Sequence, residues 1–265
     1  IPITADTTII AEGNIVINAK NQARIFNIAS GTSVTLNGIT FIGGHSSGNG
    51  GAIYTKGSLT ITNCNFNANS ADNGGAIYYD NSQTSSIVGS AFAGNQATSG
   101  GAVYSTGRFF EVIGTRFTGN GANQYGGSLY LDVGAYVNHC VFTGEHVGLD
   151  GGSIYLNITD LSSVIGFADK LGVYNSSFIS CHADRDGGAG YVYSNYGTVD
   201  NVTFTACSAG RDGGAGYVYG SYGTLINSRF IANNATSGKG GAVLWAGTHG
   251  TLRHTNMTAN NASDG

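Results

Sequence analysis

The chain has 265 residues, with 11 Lys or Arg against 15 Asp or Glu, a formal net charge of −4 and only 10% charged residues. That balance offers no basic surface for nucleic acid, and no apolar run reaches the roughly 18 residues that a membrane-spanning helix needs. Polarity is carried instead by Ser, Thr, Asn and 44 Gly, residues that bound short strands with tight turns.

The first strand signals are Ala23-Arg24-Ile25-Phe26-Asn27-Ile28 and Val34-Thr35-Leu36-Asn37-Gly38-Ile39-Thr40-Phe41. From residue 50 onward a Gly-Gly pair recurs, starting at Gly50, Gly74, Gly100, Gly126, Gly151, Gly187, Gly213 and Gly240. The steps between these glycines are 24, 26, 26, 25, 36, 26 and 27 residues. A fixed period in this range marks a stacked repeat. In phase with it run Phe41, Phe66, Phe92, Phe117, Phe142, Phe178, Phe204 and Phe230, with Met257 in the ninth slot. Five residues earlier stands an aliphatic, from Leu36, Ile61 and Ile87 through to Leu225 and Leu252.

Three residues before each Phe sits Gly38, Asn63, Gly89, Gly114, His139, Asn175, Asn201, Asn227 or, before Met257, His254. These residue types tolerate a positive φ. A left-handed corner there lets the aliphatic and a residue of opposite strand parity both point inward. That is the geometry of a coil. No window sustains a helical period. The predicted fold is therefore all-β: a right-handed parallel β-helix of about nine to ten turns, roughly 25 residues each, because parallel crossovers are right-handed. We read residues 1–265 as one such domain, excerpted from a longer repeat protein.

Gly-Gly-Ala-Ile/Val together with Phe-x-x-Asn, as in Phe66–Asn69, Phe92–Asn95, Phe117–Asn120 and Phe230–Asn233, resembles the repeats of chlamydial polymorphic outer-membrane proteins. The opening stretch 23–41 is similar to the adhesin-like surface proteins of methanogenic archaea. The resemblance implies a secreted, extracellular β-helix displayed on the cell surface and used for adhesion. The implied partner is a glycan or protein on a host or neighbouring cell. Neither nucleic acid nor membrane insertion of this segment is expected.

Phe142, Phe178 and Phe204 lack the Asn three residues on, and the departures continue around them. The 36-residue step contains an excess of about ten residues within 157–171, a loop that is either a binding element or a neutral insertion. Asp186-Gly187-Gly188-Ala189-Gly190-Tyr191-Val192-Tyr193 is repeated almost identically from Asp212 to Tyr219. If Val192 and Val218 face the core, then Tyr191, Tyr193, Tyr217 and Tyr219 face outward, with Tyr196 and Tyr222 close by. Six tyrosines on one side suit sugar rings or protein anchors. The alternative is structural, because Tyr54, Tyr78, Tyr104, Tyr130 and Tyr155 extend the same column and stacked aromatics support a parallel sheet.

Asp150, Asp186 and Asp212 precede Gly-Gly in three successive turns, and His146 and His182 follow Phe by four residues in two of them, with Asp184 nearby. Stacked carboxylates repel. Arg185 and Arg211 could neutralise them, as could a Ca²⁺; a transition metal on the two His is a further candidate. No cofactor is otherwise expected.

Cys64 and Cys140 read as separate buried thiols. Cys181 and Cys207, in adjacent turns of the column that elsewhere holds Asn69, Asn95, Asn120, Glu145, Asn233 and Asn260, could be bridged or free. No nucleophile, phosphate-loop or zinc motif appears. The reading is a non-enzymatic adhesin module. The alternatives are a pectinase-like polysaccharide-cleaving enzyme or a plain structural stalk.

Overall fold

A computed structural model describes residues 1–80, 83–107, 109–132, 134–158 and 171–264. Among them there is no helix, and every strand pairing is parallel. Three sheets run the length of a β-solenoid. A ten-stranded sheet carries the Gly-Gly repeats, with strands such as Ile77–Tyr79, Val103–Ser105 and Leu129–Leu131. An eighteen-stranded sheet takes two strands per turn, for example Phe110–Ile113 and Arg116–Thr118, on either side of a corner. A seven-stranded sheet from Gln96–Ser99 to Asn261–Ala262 closes the coil. The 36-residue step leaves the stack in register, with Tyr155 opposite Tyr191 and Phe142 opposite Phe178.

The corners follow from local stereochemistry. All nine expected corner residues, Gly38 to His254, have φ between 46° and 76°. Each turn has a second left-handed corner two residues after the Phe slot, and it carries no comparable signal in the sequence. Gly43, Gly94, Gly119 and Gly144 sit there, but so do Ala68, Ser180, Ala206, Ala232 and Ala259, with φ of 50–66° across the nine. Alanine has no intrinsic preference for this region, so the stack of hydrogen bonds around it imposes the conformation. The backbone N–H of Ala68, for instance, donates to Ala93 O in the next turn.

The interior is one continuous apolar column. Eight Phe rings, Phe41 to Phe230, stack at centroid spacings of 4.6–5.1 Å, the separation of neighbouring strands. The expected inward residues are buried from Leu36 to Phe230, apart from the half-buried Val199. In the last described turn Leu252 and Met257 keep register and are 56% and 45% exposed.

A buried amide ladder runs beside the rings. Asn69 Nδ2 donates to Asn95 Oδ1, and Asn95 Nδ2 to Asn120 Oδ1, both at 2.9 Å. Asn233 and Asn260 repeat the contact. Cys181 and Cys207 occupy ladder positions as free, buried thiols, as do Cys64 and Cys140 elsewhere in the core, so the open question of a bridge resolves to thiols.

Glu145 is the anomalous rung. Its Oε2 accepts from Ser128 Oγ and from Asn120 N, while Oε1 is buried without a hydrogen-bond partner. Burial pushes the carboxyl well above the usual carboxylate range, against the opposing pull of the Ser128 and Asn120 donors. In the unfolded chain this group ionises near about 4.3. Above that pH the unfolded state gains stability by losing the proton while the folded state retains it, so Glu145 lowers stability progressively as pH rises. Glu145→Gln keeps the acceptor and removes the titration. Thermal unfolding from pH 4 to 8 should show the variant gaining on wild type as pH rises. Parallel pH profiles for the two proteins would contradict the assignment.

Candidate functional site

The outward residue of seven of the eight Gly-Gly strands builds a second aromatic column, with Leu244 in the eighth place. Tyr54, Tyr78, Tyr104, Tyr130, Tyr155, Tyr191 and Tyr217 stack ring on ring at 4.3–5.6 Å. Burial between neighbouring rings pushes the Tyr104 hydroxyl up to about 12, and that of Tyr191 higher still, so the ladder stays uncharged. Tyr191 and Tyr217 are thus the end of a half-buried structural column.

The six mid-rod tyrosines are arranged as three stacks, of which Tyr191–Tyr217 is the first. Tyr193 and Tyr219 pair at 5.1 Å and stand 40% and 49% exposed. Tyr196 and Tyr222 pair at 5.2 Å further round the coil, and His249 continues their stack 4.9 Å from Tyr222. All three of the latter hold left-handed corners, with φ of 69°, 61° and 57°.

Beside the Tyr193–Tyr219 pair lies a groove of about 450 Å³. It is lined by the two tyrosines and Ile158, by the polar Asn195, Ser221 and Thr248, and by Ser194, Gly220 and Gly247. Two of these positions are glycine for a steric reason. A Cβ on Gly220 would lie 1.8 Å from Ser194 O, and one on Gly247 1.6 Å from Gly220 O. Successive turns stack so closely that glycine is obligatory at 220 and 247. Ser221 N donates to Asn195 Oδ1 at 2.7 Å, and the Ser221 and Thr248 hydroxyls meet at 2.9 Å, which holds the three polar residues together. No carboxylate lines the groove among the described residues.

Asn195, Ser221 and Thr248 were not singled out from the sequence. The available signal was the repetition of Tyr193-Ser194-Asn195-Tyr196-Gly197-Thr198 as Tyr219-Gly220-Ser221-Tyr222-Gly223-Thr224. The insertion at 157–171 lies mostly outside the described residues. Of its ends, Ile158 lines the groove and Leu171 is buried.

Beneath the groove the core is thin. Gly190 and Gly216 stand where other turns place Ile77, Val103, Leu129 or Ile154. Neither glycine is sterically required, since a Cβ would make only ordinary contacts. They leave an apolar cavity of about 80 Å³ lined by Val192, Val199, Val218, Leu225 and Trp245, with Ser194 shared between cavity and groove.

The acidic column is arranged differently from a cation site. Asp150 and Asp186 are buried, and each is gripped by an arginine one turn on. Arg185 Nε donates to Asp150 Oδ1 at 2.7 Å and its Nη2 to Oδ2; Arg211 Nε donates to Asp186 Oδ1 at 2.9 Å and its Nη2 to Oδ2. The carboxylate raises the Arg185 guanidinium above its ordinary value. Asp212 accepts the backbone N–H of Lys239 at 2.7 Å. With Asp150 and Asp186 in two-point arginine contacts, the three-acid column does not converge on a Ca²⁺. His146 and His182 lie apart from it and meet Asp184 instead.

No family model, curated protein or solved structure matches this chain.

Proposed function

We propose that this β-solenoid is a non-catalytic adhesion module, displayed outside the cell, that binds a glycan on a neighbouring or host cell in the groove beside Tyr193 and Tyr219. The observation that carries the reading is the groove itself. The two stacked, exposed tyrosines give the groove an aromatic side against which a sugar can pack, and the hydroxyl and amide groups of Asn195, Ser221 and Thr248 are at hand for the sugar hydroxyls. Glycine at 220 and 247 lets a ligand approach the backbone.

Binding is favoured over polysaccharide cleavage by the chemistry at hand. Glycoside hydrolysis uses two carboxyl groups across the scissile bond, whereas the described groove lining has none and the nearby Asp150 and Asp186 are held by arginines. The likeness of the Gly-Gly and Phe-x-x-Asn repeats to adhesin-type surface proteins points the same way.

A glycan array probed with the chain should show a restricted set of ligands. Tyr193→Ala/Tyr219→Ala should weaken them at least about tenfold, as loss of paired aromatic anchors does, while Tyr78→Ala should leave affinity unchanged. Equal binding by wild type and the groove variant would reassign the rings to support of the sheet.

A further inference from the structure

A second cluster lies on the seven-stranded sheet. His146 and His182 stand opposite each other in register, with their rings stacked 5.3 Å apart. Both Nε2 atoms converge on one oxygen, Asp184 Oδ1, at 3.1 and 3.0 Å. The three ligand atoms all lie within 4.8 Å of one another. Around a tetrahedral ion with bonds of about 2.0–2.2 Å, neighbouring ligand atoms sit about 3.3 Å apart. The two nitrogen–oxygen spacings are already close to that.

The geometry points to a divalent transition-metal site formed by His146 Nε2, His182 Nε2 and an Asp184 carboxylate oxygen. In the metal-free arrangement each imidazole must carry a proton on Nε2 to donate to the shared oxygen. A divalent ion takes the place of the proton at each Nε2: a neutral imidazole keeps its proton by shifting it to Nδ1, and an imidazolium releases one to solvent. Two imidazoles and one carboxylate suit Zn²⁺, Cu²⁺ or Ni²⁺ and not the all-oxygen preferences of Ca²⁺ or Mg²⁺.

The surroundings support the ligands. Ser208 Oγ lies 2.8 Å from His182 Nδ1 and orients that ring, the role of the outer partner in metal-bound histidines. The backbone is pinned as well: His182 N donates to Glu145 O and Asp184 N to Val147 O, both at 2.9 Å. The side chains of His146 and Asp184 are 58% and 53% exposed, which leaves the remaining coordination position open to water or to a donor from another molecule. His45 occupies the equivalent slot near the start of the coil, but it contacts Ser70 there. The ion would tie together the turns on either side of the 36-residue step. This site is separate from the tyrosine groove and independent of its function.

The test is titration of the whole chain with Zn²⁺ by calorimetry and with Cu²⁺ by electron paramagnetic resonance. One equivalent should bind, and the Cu²⁺ spectrum should show coupling to two nitrogens. His146→Ala or His182→Ala should weaken Zn²⁺ at least about tenfold and Ser208→Ala about tenfold, whereas His45→Ala should have no effect. Excess Ca²⁺ should not compete. Wild-type chain without stoichiometric Zn²⁺ binding, a Cu²⁺ spectrum without nitrogen coupling, or a His146→Ala/His182→Ala protein that binds like wild type would each overturn the assignment. The nitrogen coupling is read on unaltered protein, so it does not depend on how the variants fold.

Discussion

Gly101→Ala is expected to destabilise the solenoid by more than about 4 kcal/mol, at the severe end for a single methyl group. A Cβ on Gly101 would lie 2.1 Å from Gly127 O and 2.4 Å from Gly121 O. Both are backbone atoms of the neighbouring turn, so neither can rotate away, and the stack must separate at that level. The informative control is Gly119→Ala. Gly119 has a positive φ, of 60°, which Gly101 does not, and nothing lies within 4 Å of its would-be Cβ. The same corner already holds alanine at positions 68, 206, 232 and 259. Its cost should stay within the 1–2 kcal/mol of a left-handed L-residue. Chemical denaturation of the two variants measures the difference. Similar losses would mean that the contact between turns does not account for the glycine at 101.

Phe117→Ala is expected to cost about 3–5 kcal/mol by leaving a cavity in the ring column. Phe117 is fully buried, with Phe92 at 5.1 Å on one side and Phe142 at 4.7 Å on the other. Each repeat in a solenoid contacts its neighbours alone, so the loss should be local. Hydrogen exchange should accelerate in strands Ala91–Ala93, Arg116–Thr118 and Val141–Thr143 and much less in turns several repeats away. A change below about 1 kcal/mol, or acceleration spread evenly along the rod, would contradict a stack coupled only between neighbours.

Much of the architecture was legible because periodicity reports burial directly. The Phe and aliphatic columns could be aligned by spacing, and their side chains have one place to go in a narrow coil. The nine corners at Gly38 to His254 were legible because Gly, Asn and His advertise a positive φ. The second corner was hidden, because Ala68, Ala206, Ala232 and Ala259 carry no such mark. The amide ladder was readable from its asparagines and the place of Cys181 and Cys207 in it from their spacing, but not whether the two were bridged; what Glu145 does there depends on how deeply its neighbours bury it.

The candidate sites show the same division. The sequence by itself determined that this chain coils, where its turns begin and which rings stack, since these depend on residue types repeated at a fixed interval. Only the tertiary structure decided how neighbouring turns share their side chains. It paired Asp150 with Arg185 and Asp186 with Arg211 from the turn beyond, split six tyrosines into ladder, groove and corner, and aimed two imidazoles at Asp184. Those outcomes depend on side-chain reach across a gap of about 4.8 Å between strands, where a rotamer chooses among partners that linear spacing leaves equivalent.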